Sequence, residues 1–398
     1  MASTNHHQEL KLEKFEAPQG LKTAAYVCLF LGIIGIVVGF LNNPERVWTA
    51  YLVSFFYFAC LALGAMFFIA FNYVTNAGWS SSIRRIAESF TSYLPVMLAT
   101  SFILILGFKH LYPWADPEQS HILTGGKAIY LSQAFVIARF VVFGLGCLVF
   151  KNLIVGNSLK QDISGDKNLT LKNLPYSVGF IAFFAIFFSM FSIDLLMSLL
   201  PSWYSTIFGI YMFSGMIQST FALMAIFIVW LRHSKWVSGY ITVEHQHDIG
   251  KFLKGFTVFW AYIAFSQFML IWYANIPEET EFYLMRSHSG WLVVSFALLI
   301  FRFIVPFLTL LPRDAKRNDS VLVSVSILVL IMQYVDIYWL VYPNFNEGAP
   351  VFGLYEICIF AGFAGLFLTM VIKFMTKNNL VAIKDPRLHE AIAHHVTY

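Results

Sequence analysis

The sequence predicts an all-α integral membrane protein of ten transmembrane helices, and three observations predict it. Of its 398 residues, 58% are hydrophobic and only 12% are charged, against roughly 25% charged residues in soluble proteins. Ten segments are mainly apolar over the length of a bilayer crossing, which takes about 20 residues. The connections between them alternate sharply in Lys and Arg content.

The segments cover 22–41, 48–74, 87–107, 128–150, 174–199, 204–231, 252–275, 288–311, 320–342 and 349–375. Before the first lies a polar tail, 1–21, with Glu9, Glu13 and Glu16 among its lysines. That tail, and a first apolar run long enough to span, do not read as a cleavable signal peptide. Twenty of the 26 basic residues fall on one side of the alternation. They include Lys11 and Lys14, Arg84 and Arg85, Lys160, Arg232, Arg313 and Lys384. The other side holds four, Arg46, Lys109, Lys127 and Arg286, while Arg139 and Arg302 fall inside spans. The positive-inside rule then puts both termini in the cytoplasm. The four cysteines (Cys28, Cys60, Cys147 and Cys358) lie in apolar runs and read as small core residues.

Two of the spans share a local pattern. Met190, Asp194 and Pro201 repeat the spacing of Met332, Asp336 and Pro343. Trp48 and Phe58 match Trp203 and Phe213, and Phe90-Thr91 matches Phe256-Thr257. Arg139-Phe140-Val141-Val142 matches Arg302-Phe303-Ile304-Val305. Four spans separate the copies, so they share one orientation and the repeat is parallel. The expected organisation is a cytoplasmic tail (1–21), a flanking helix (22–47), a first four-helix bundle (48–202, spans two to five) and a second (203–343, spans six to nine). A flanking tenth helix (344–376) and a cytoplasmic tail (377–398) follow.

A buried ionisable group costs several kcal/mol in a bilayer and needs a partner. Asp194 and Asp336 each sit roughly 10 Å inside the external end of their span, and Arg139 roughly 16 Å from the external start of span four. That depth lets Arg139 bridge to Asp194. Arg302 lies deeper in span eight, leaving both direct and water-mediated contact with Asp336 open. Each pair reads either as a structural pin between helices or as part of a proton relay. Polar groups that would order water along such a relay are Ser192 and Ser198 near Asp194, and Gln333, Tyr334 and Tyr338 near Asp336. Spans six and seven add Ser214, Gln218, Ser219, Thr220, Tyr262, Ser266 and Gln267. Glu88 and Glu356, near span ends, read as interfacial, with Glu88 a candidate point of proton entry. The acidic connection with Glu278, Glu279 and Glu281, behind Trp272 and Tyr273, reads either as a solvated loop or as a docking surface for an extrinsic subunit. The eleven histidines, from His6 and His7 through His121 to His395, lie in tails, loops or span ends. With no histidine deep in a span, no cysteine cluster and no P-loop or GxGxxG signature, the chain is expected to bind no metal or redox cofactor.

Ten spans built as two parallel four-helix bundles resemble the NrfD/PsrC family of respiratory membrane subunits. The stretch Trp272-Tyr273-Ala274-Asn275-Ile276-Pro277-Glu278-Glu279 is similar to that of the ActF-type membrane subunits of alternative complex III. The resemblance implies a non-redox subunit of a bacterial quinol:cytochrome c (electron acceptor) oxidoreductase in the inner (cell) membrane. It implies a multihaem cytochrome c subunit, an iron–sulfur subunit and a paralogous NrfD-like subunit as partners. Haem c and iron–sulfur clusters would sit in those partners, quinol in the paralogue, and proton movement in this chain. Span four carries no histidine near its external end, a departure from a quinol-site subunit. The alternatives are a quinol-binding membrane anchor, a purely structural anchor and an independent secondary transporter. The parallel repeat and the scarcity of mid-span Gly and Pro argue against the transporter.

Overall fold

A computed structural model describes residues 10–116, 118, 123, 125–346 and 348–395. His6, His7, Glu9 and His121 lie outside the described residues. Ten helices are long and apolar enough to cross a membrane. They are α1 (Gln19–Asn42), α2 (Pro44–Val74), α3 (Arg84–Leu106), α4 (Gln133–Ser164) and α5 (Asn168–Leu199), then α6 (Phe208–Arg232), α7 (Val243–Ala274), α8 (Trp291–Thr309), α9 (Asp319–Asn344) and α10 (Leu354–Lys377). The chain is a multi-pass membrane protein.

Each expected span overlaps one of these helices, span four beginning on a separate short helix, Gly125–Tyr130, and three helices outrun their apolar stretch. α4 continues to Ser164, α5 begins at Asn168, and α7 begins at Val243. Hydropathy marks only the length that meets lipid, whereas helical hydrogen bonding continues wherever the ends are satisfied. Gly165 closes α4 in the left-handed region at φ 72°, its N–H on the Gln161 carbonyl. Thr242 opens α7 with a capping box: its hydroxyl accepts from the Glu244 N–H, and the His245 ring accepts from the Thr242 N–H.

Helices α2–α5 pack in a ring, α2 on α3, α3 on α4, α4 on α5 and α5 on α2. Helices α6–α9 form a second ring, with α6 against α7 and α9, and α8 between α7 and α9. α2 joins the two, touching α6 and α9 as well as α10, and nearly all of its residues are buried. α1 lies along α10 and turns Tyr26, Phe30, Ile33 and Leu41 outward. Gly32 and Gly362 face each other so closely that a Cβ on either would strike the other's backbone. Lipid is as apolar as leucine, so close backbone approach of this kind supplies the packing that apolar burial does not.

The end carrying both termini is more ordered than two tails would be. Lys11–Leu12 (β1) pairs antiparallel with Val237–Ser238 (β2), tying the N-terminal segment to the α6–α7 connection. The C-terminal segment forms a strap. Asp385 ion-pairs with Arg84 at the start of α3. Lys384 Nζ donates to the Ile163 carbonyl of α4 at 2.6 Å, and His394 meets Asp248 of α7 at 2.6 Å. Burial opposes ionisation of Asp385, but the Arg84 guanidinium outweighs it and holds the carboxyl below its ordinary range.

Candidate functional site

Arg302 and Asp336 form the centre of the α6–α9 ring. Arg302 stands on a π-helical turn, Leu298–Ile304, that interrupts α8. Such turns insert a residue into the α-helical register and re-aim the side chains that follow. The guanidinium meets Asp336 directly, Nη1 to Oδ2 at 2.7 Å, which resolves the contact the sequence leaves open. Arg302 is 0% and Asp336 1% exposed. The pair is not isolated. Nε of Arg302 donates to Gln218 Oε1 at 3.1 Å, Nη2 donates to Gln333 Oε1, and the cation lies over the Trp260 ring, 4.3 Å from its centroid. Gln218 in turn donates to Thr257 Oγ1 at 3.0 Å. On the other side of the carboxylate, the Tyr211 hydroxyl donates to Asp336 Oδ1. A branched chain of amides and hydroxyls therefore radiates from one carboxylate. The amides and hydroxyls can each accept one hydrogen bond and donate another, while Arg302 at the centre only donates.

Room for this cluster depends on Gly215. A Cβ there would meet Arg302 Nη2 at 2.7 Å and Gln333 Oε1 at 2.9 Å. We expect Gly215→Ala to cost about 1–3 kcal/mol through overpacking, outweighing the roughly 0.5–1 kcal/mol that alanine gains within a helix. Unfolding of the variant in mixed micelles measures it. A stability equal to or above that of the parent would show that the cluster yields freely.

The matching pair in the α2–α5 ring is built differently. Arg139 holds Asp194 in a bidentate clasp, Nε to Oδ2 at 2.7 Å and Nη2 to Oδ1 at 2.9 Å. Its Nη2 also donates to the Tyr130 carbonyl at 2.9 Å, and its cation lies 4.0 Å from the Tyr130 ring centroid. Both acid oxygens meet the one guanidinium, and the Tyr130 hydroxyl is the carboxylate's other side-chain partner. Residues at equal spacing in the two rings show why the network stops there. Tyr211 follows Trp203 by as many residues as Phe56 follows Trp48, and Gln218 likewise corresponds to Leu63. Gln333 follows Met332 as Phe191 follows Met190. Where one ring places a hydroxyl and an amide, the other stacks Phe56 on Phe191, centroids 5.6 Å apart.

The remaining sequence candidates divide. Gln333 belongs to the Asp336 cluster, but Tyr338 does not: its hydroxyl donates to the Val351 carbonyl at 2.8 Å. Tyr338 shares a helix with Asp336, yet two residues of helical advance turn it to another side. Gln267 sits apart, accepting from Ser205 at 3.0 Å and donating to Tyr283 at 3.3 Å. Ser266 is half-buried and does not join the cluster, and Tyr262 is 63% exposed, facing outward. Glu278, Glu279 and Glu281 stand on a short helix, Pro277–Leu284, rather than in a loop. Glu278 and Glu281 are exposed, Glu279 is partly so, and Phe282 anchors the helix by stacking on Trp203 with centroids 4.1 Å apart.

Two glutamates expected at an interface are fully buried. Glu88 is paired with Arg85 and, at 3.5 Å, with Arg84, and accepts from Ser158 at 2.7 Å. Glu356 is clasped by Arg46 at 2.7 and 2.8 Å and accepts from Tyr342 at 2.8 Å. Position along a helix gives depth but not what neighbouring segments lay over that depth; here α4 lays Ser158 against Glu88. Tyr211 escaped the sequence reading because a tyrosine in a span is unremarked without its neighbours. Its correspondence with Phe56 was the available signal. Among the described residues no group of His, Cys, Asp and Glu is arranged to hold a metal ion. In comparisons with known proteins, no family model and no curated protein matches the chain.

Proposed function

We propose that this chain is a cofactor-free membrane subunit of a bacterial quinol:cytochrome c oxidoreductase of the alternative complex III type. In this reading it conducts protons while quinol is oxidised in a paralogous NrfD-like subunit. A multihaem cytochrome c subunit and an iron–sulfur subunit complete the assembly, the latter docking at the exposed Glu278 and Glu281. Both termini face the cytoplasm, following the basic residues, and the two rings are parallel copies of one four-helix unit. Support comes from the ten spans, the ring packing, the repeated Arg and Asp positions and the ActF-like segment around Trp272–Glu279.

The observation that carries the proton reading is the difference between the two pairs. Asp336 shares its oxygens between Arg302 and Tyr211 within a branched polar cluster that continues through Gln218, Gln333 and Thr257, whereas Asp194 meets Arg139 and the Tyr130 hydroxyl with no amide branch beyond them. A group that exchanges protons needs a chain of partners to pass them along; a clasp does not. Asp336 is therefore the proton-handling carboxylate, with Arg302, Gln333, Gln218 and Tyr211 around it, and Asp194–Arg139 is a pin. The test is proton release per electron from the assembled complex in vesicles. Asp336→Asn is expected to lower the ratio at unchanged electron flux, while Asp194→Asn leaves it alone. An unaltered ratio in Asp336→Asn removes the relay role.

A further inference from the structure

A cleft of about 280 Å3 lies at the terminus-bearing end, between α3, α4 and α10, and has no part in the proton reading. It exists because α3 packs on both α4 and α10, while those two scarcely touch each other. Its walls are apolar, with Val155 and Leu159 from α4 and Met370 and Phe374 from α10. Lys151, Lys373 and Lys377 line the same space. The cleft sits where each apolar run gives way to charge: α4 is uncharged from Phe140 to Phe150, and α10 from Ile357 to Ile372. That is the level of lipid headgroups.

Lysines at a membrane boundary are ordinary, so what these three meet decides the matter. Arg84, Arg85, Arg232 and Arg317 at the same end are each paired with a carboxylate. The ammonium groups of Lys151, Lys373 and Lys377 have no ion pair and no hydrogen bond among the described residues, and no carboxylate lines the cleft. A basic side chain in the last turn answers the helix dipole. That accounts for Lys377, but not for Lys151, which stands more than three turns before the end of α4. Gly156 supplies a second observation. Glycine weakens a helix interior and is kept where another group comes close. A Cβ at Gly144 or Gly146 of the same helix would strike Leu98 or Phe183, but one at Gly156 would meet nothing within 4 Å. No packing contact asks for this glycine. What it leaves open is the cleft that it lines.

We infer that the α3–α4–α10 cleft holds the headgroup of an anionic phospholipid, its phosphodiester between Lys151 of α4 and Lys373 and Lys377 of α10. Unpaired ammonium groups beside low-dielectric walls attract an anion, and basic pockets between spanning helices are where lipid phosphates bind. The apolar lining selects a lipid over a free anion. It continues from the lysines toward the bilayer, Met370 lying one turn deeper in α10 than Phe374, and a free phosphate would leave it uncovered. The space is below the roughly 300–1,000 Å3 of sites that enclose a whole small molecule. It takes a headgroup, while the acyl chains stay in the bilayer. The lipid then bridges α4 and α10, two helices that the protein itself leaves apart.

The test titrates the full chain in a neutral maltoside detergent with palmitoyl-oleoyl phosphatidylglycerol, and native mass spectrometry counts the lipids retained. Phosphatidylglycerol is expected to bind at far lower concentration than phosphatidylcholine with the same chains. Lys151→Gln, Lys373→Gln and Lys377→Gln together remove the charges and keep comparable stems. They are expected to raise the half-occupancy concentration on the order of a hundredfold, roughly fivefold per lysine. Lys160→Gln, Lys167→Gln and Lys172→Gln remove the same charge from the same end outside the cleft, and should stay within about twofold of the parent. Gly156→Phe fills the cleft, leaves all three lysines in place and should abolish retention. Equal weakening by the two triple variants would mean diffuse surface charge and overturns the site. So does retention that survives Gly156→Phe, or phosphatidylcholine bound as tightly. Displacement of the lipid by an equal concentration of glycerol phosphate overturns a lipid occupant in favour of a free anion.

Discussion

Asp336→Ala is expected to lose about 3–5 kcal/mol of stability, the cost of leaving a buried charge without its partner. Arg302 is 0% exposed and cannot turn to water. Its other partners, Gln218, Gln333 and the Met332 carbonyl, are neutral, and they solvate the guanidinium without cancelling its charge. The companion experiment separates the worth of the pair from the cost of breaking it. Arg302→Met combined with Asp336→Leu removes both charges and is expected to recover most of the loss, since apolar replacements of a buried pair are often neutral or stabilising. Arg139→Met with Asp194→Leu is expected to behave alike, since that pair is buried as well. The function then distinguishes them. The doubly apolar α6–α9 ring should fold and carry no protons, whereas the doubly apolar α2–α5 ring should fold and carry them normally. Unfolding in mixed micelles gives the stabilities. A single Asp336→Ala costing under about 1 kcal/mol would mean that water or a neighbour compensates Arg302, and the closed cluster described above would be wrong.

How far the sequence reaches depends on how rare the residue is where it stands. Arg and Asp are costly in lipid, so Arg139, Arg302, Asp194 and Asp336 announce themselves, and depth along each helix suffices to pair the first set. The ten helices are legible for the same reason: a bilayer imposes one length and one composition on each crossing. Tyr211, Gln218 and Gly215 are ordinary in a span, and only the folded arrangement shows them surrounding one carboxylate. Gly215 in particular acts by an absence, the missing Cβ that admits Arg302 and Gln333. The helix ends fail differently. Composition there is that of soluble protein, so hydropathy is silent, and Glu88, Glu356 and the strap around Asp385 are fixed by contacts between segments far apart in the chain.

That silence matters most at Arg85, for which a loss of about 3–5 kcal/mol is expected on substitution by alanine. Two arginines, Arg84 and Arg85, neutralise three carboxylates, Glu88, Asp162 and Asp385. Arg85 reaches two of them, Glu88 and, at 2.6 Å, Asp162, and it also donates to the Ser158 carbonyl at 3.3 Å. Without it Glu88, 0% exposed, keeps only the 3.5 Å contact with Arg84 and the Ser158 hydroxyl. Arg84 cannot move closer without loosening Asp385, so the damage passes to the strap. We therefore expect Arg85→Ala both to destabilise the chain and to speed proteolysis within 379–395. Arg85→Lys keeps the charge but not the fork that serves two carboxylates at once, and should fall between the parent and Arg85→Ala. Strap proteolysis unchanged in Arg85→Ala, with stability within about 0.5 kcal/mol of the parent, would place Glu88 in contact with water. The cluster would then be open at the terminus-bearing end, where Glu88 could take up protons directly rather than serve as a sealed anchor for α3, α4 and the strap.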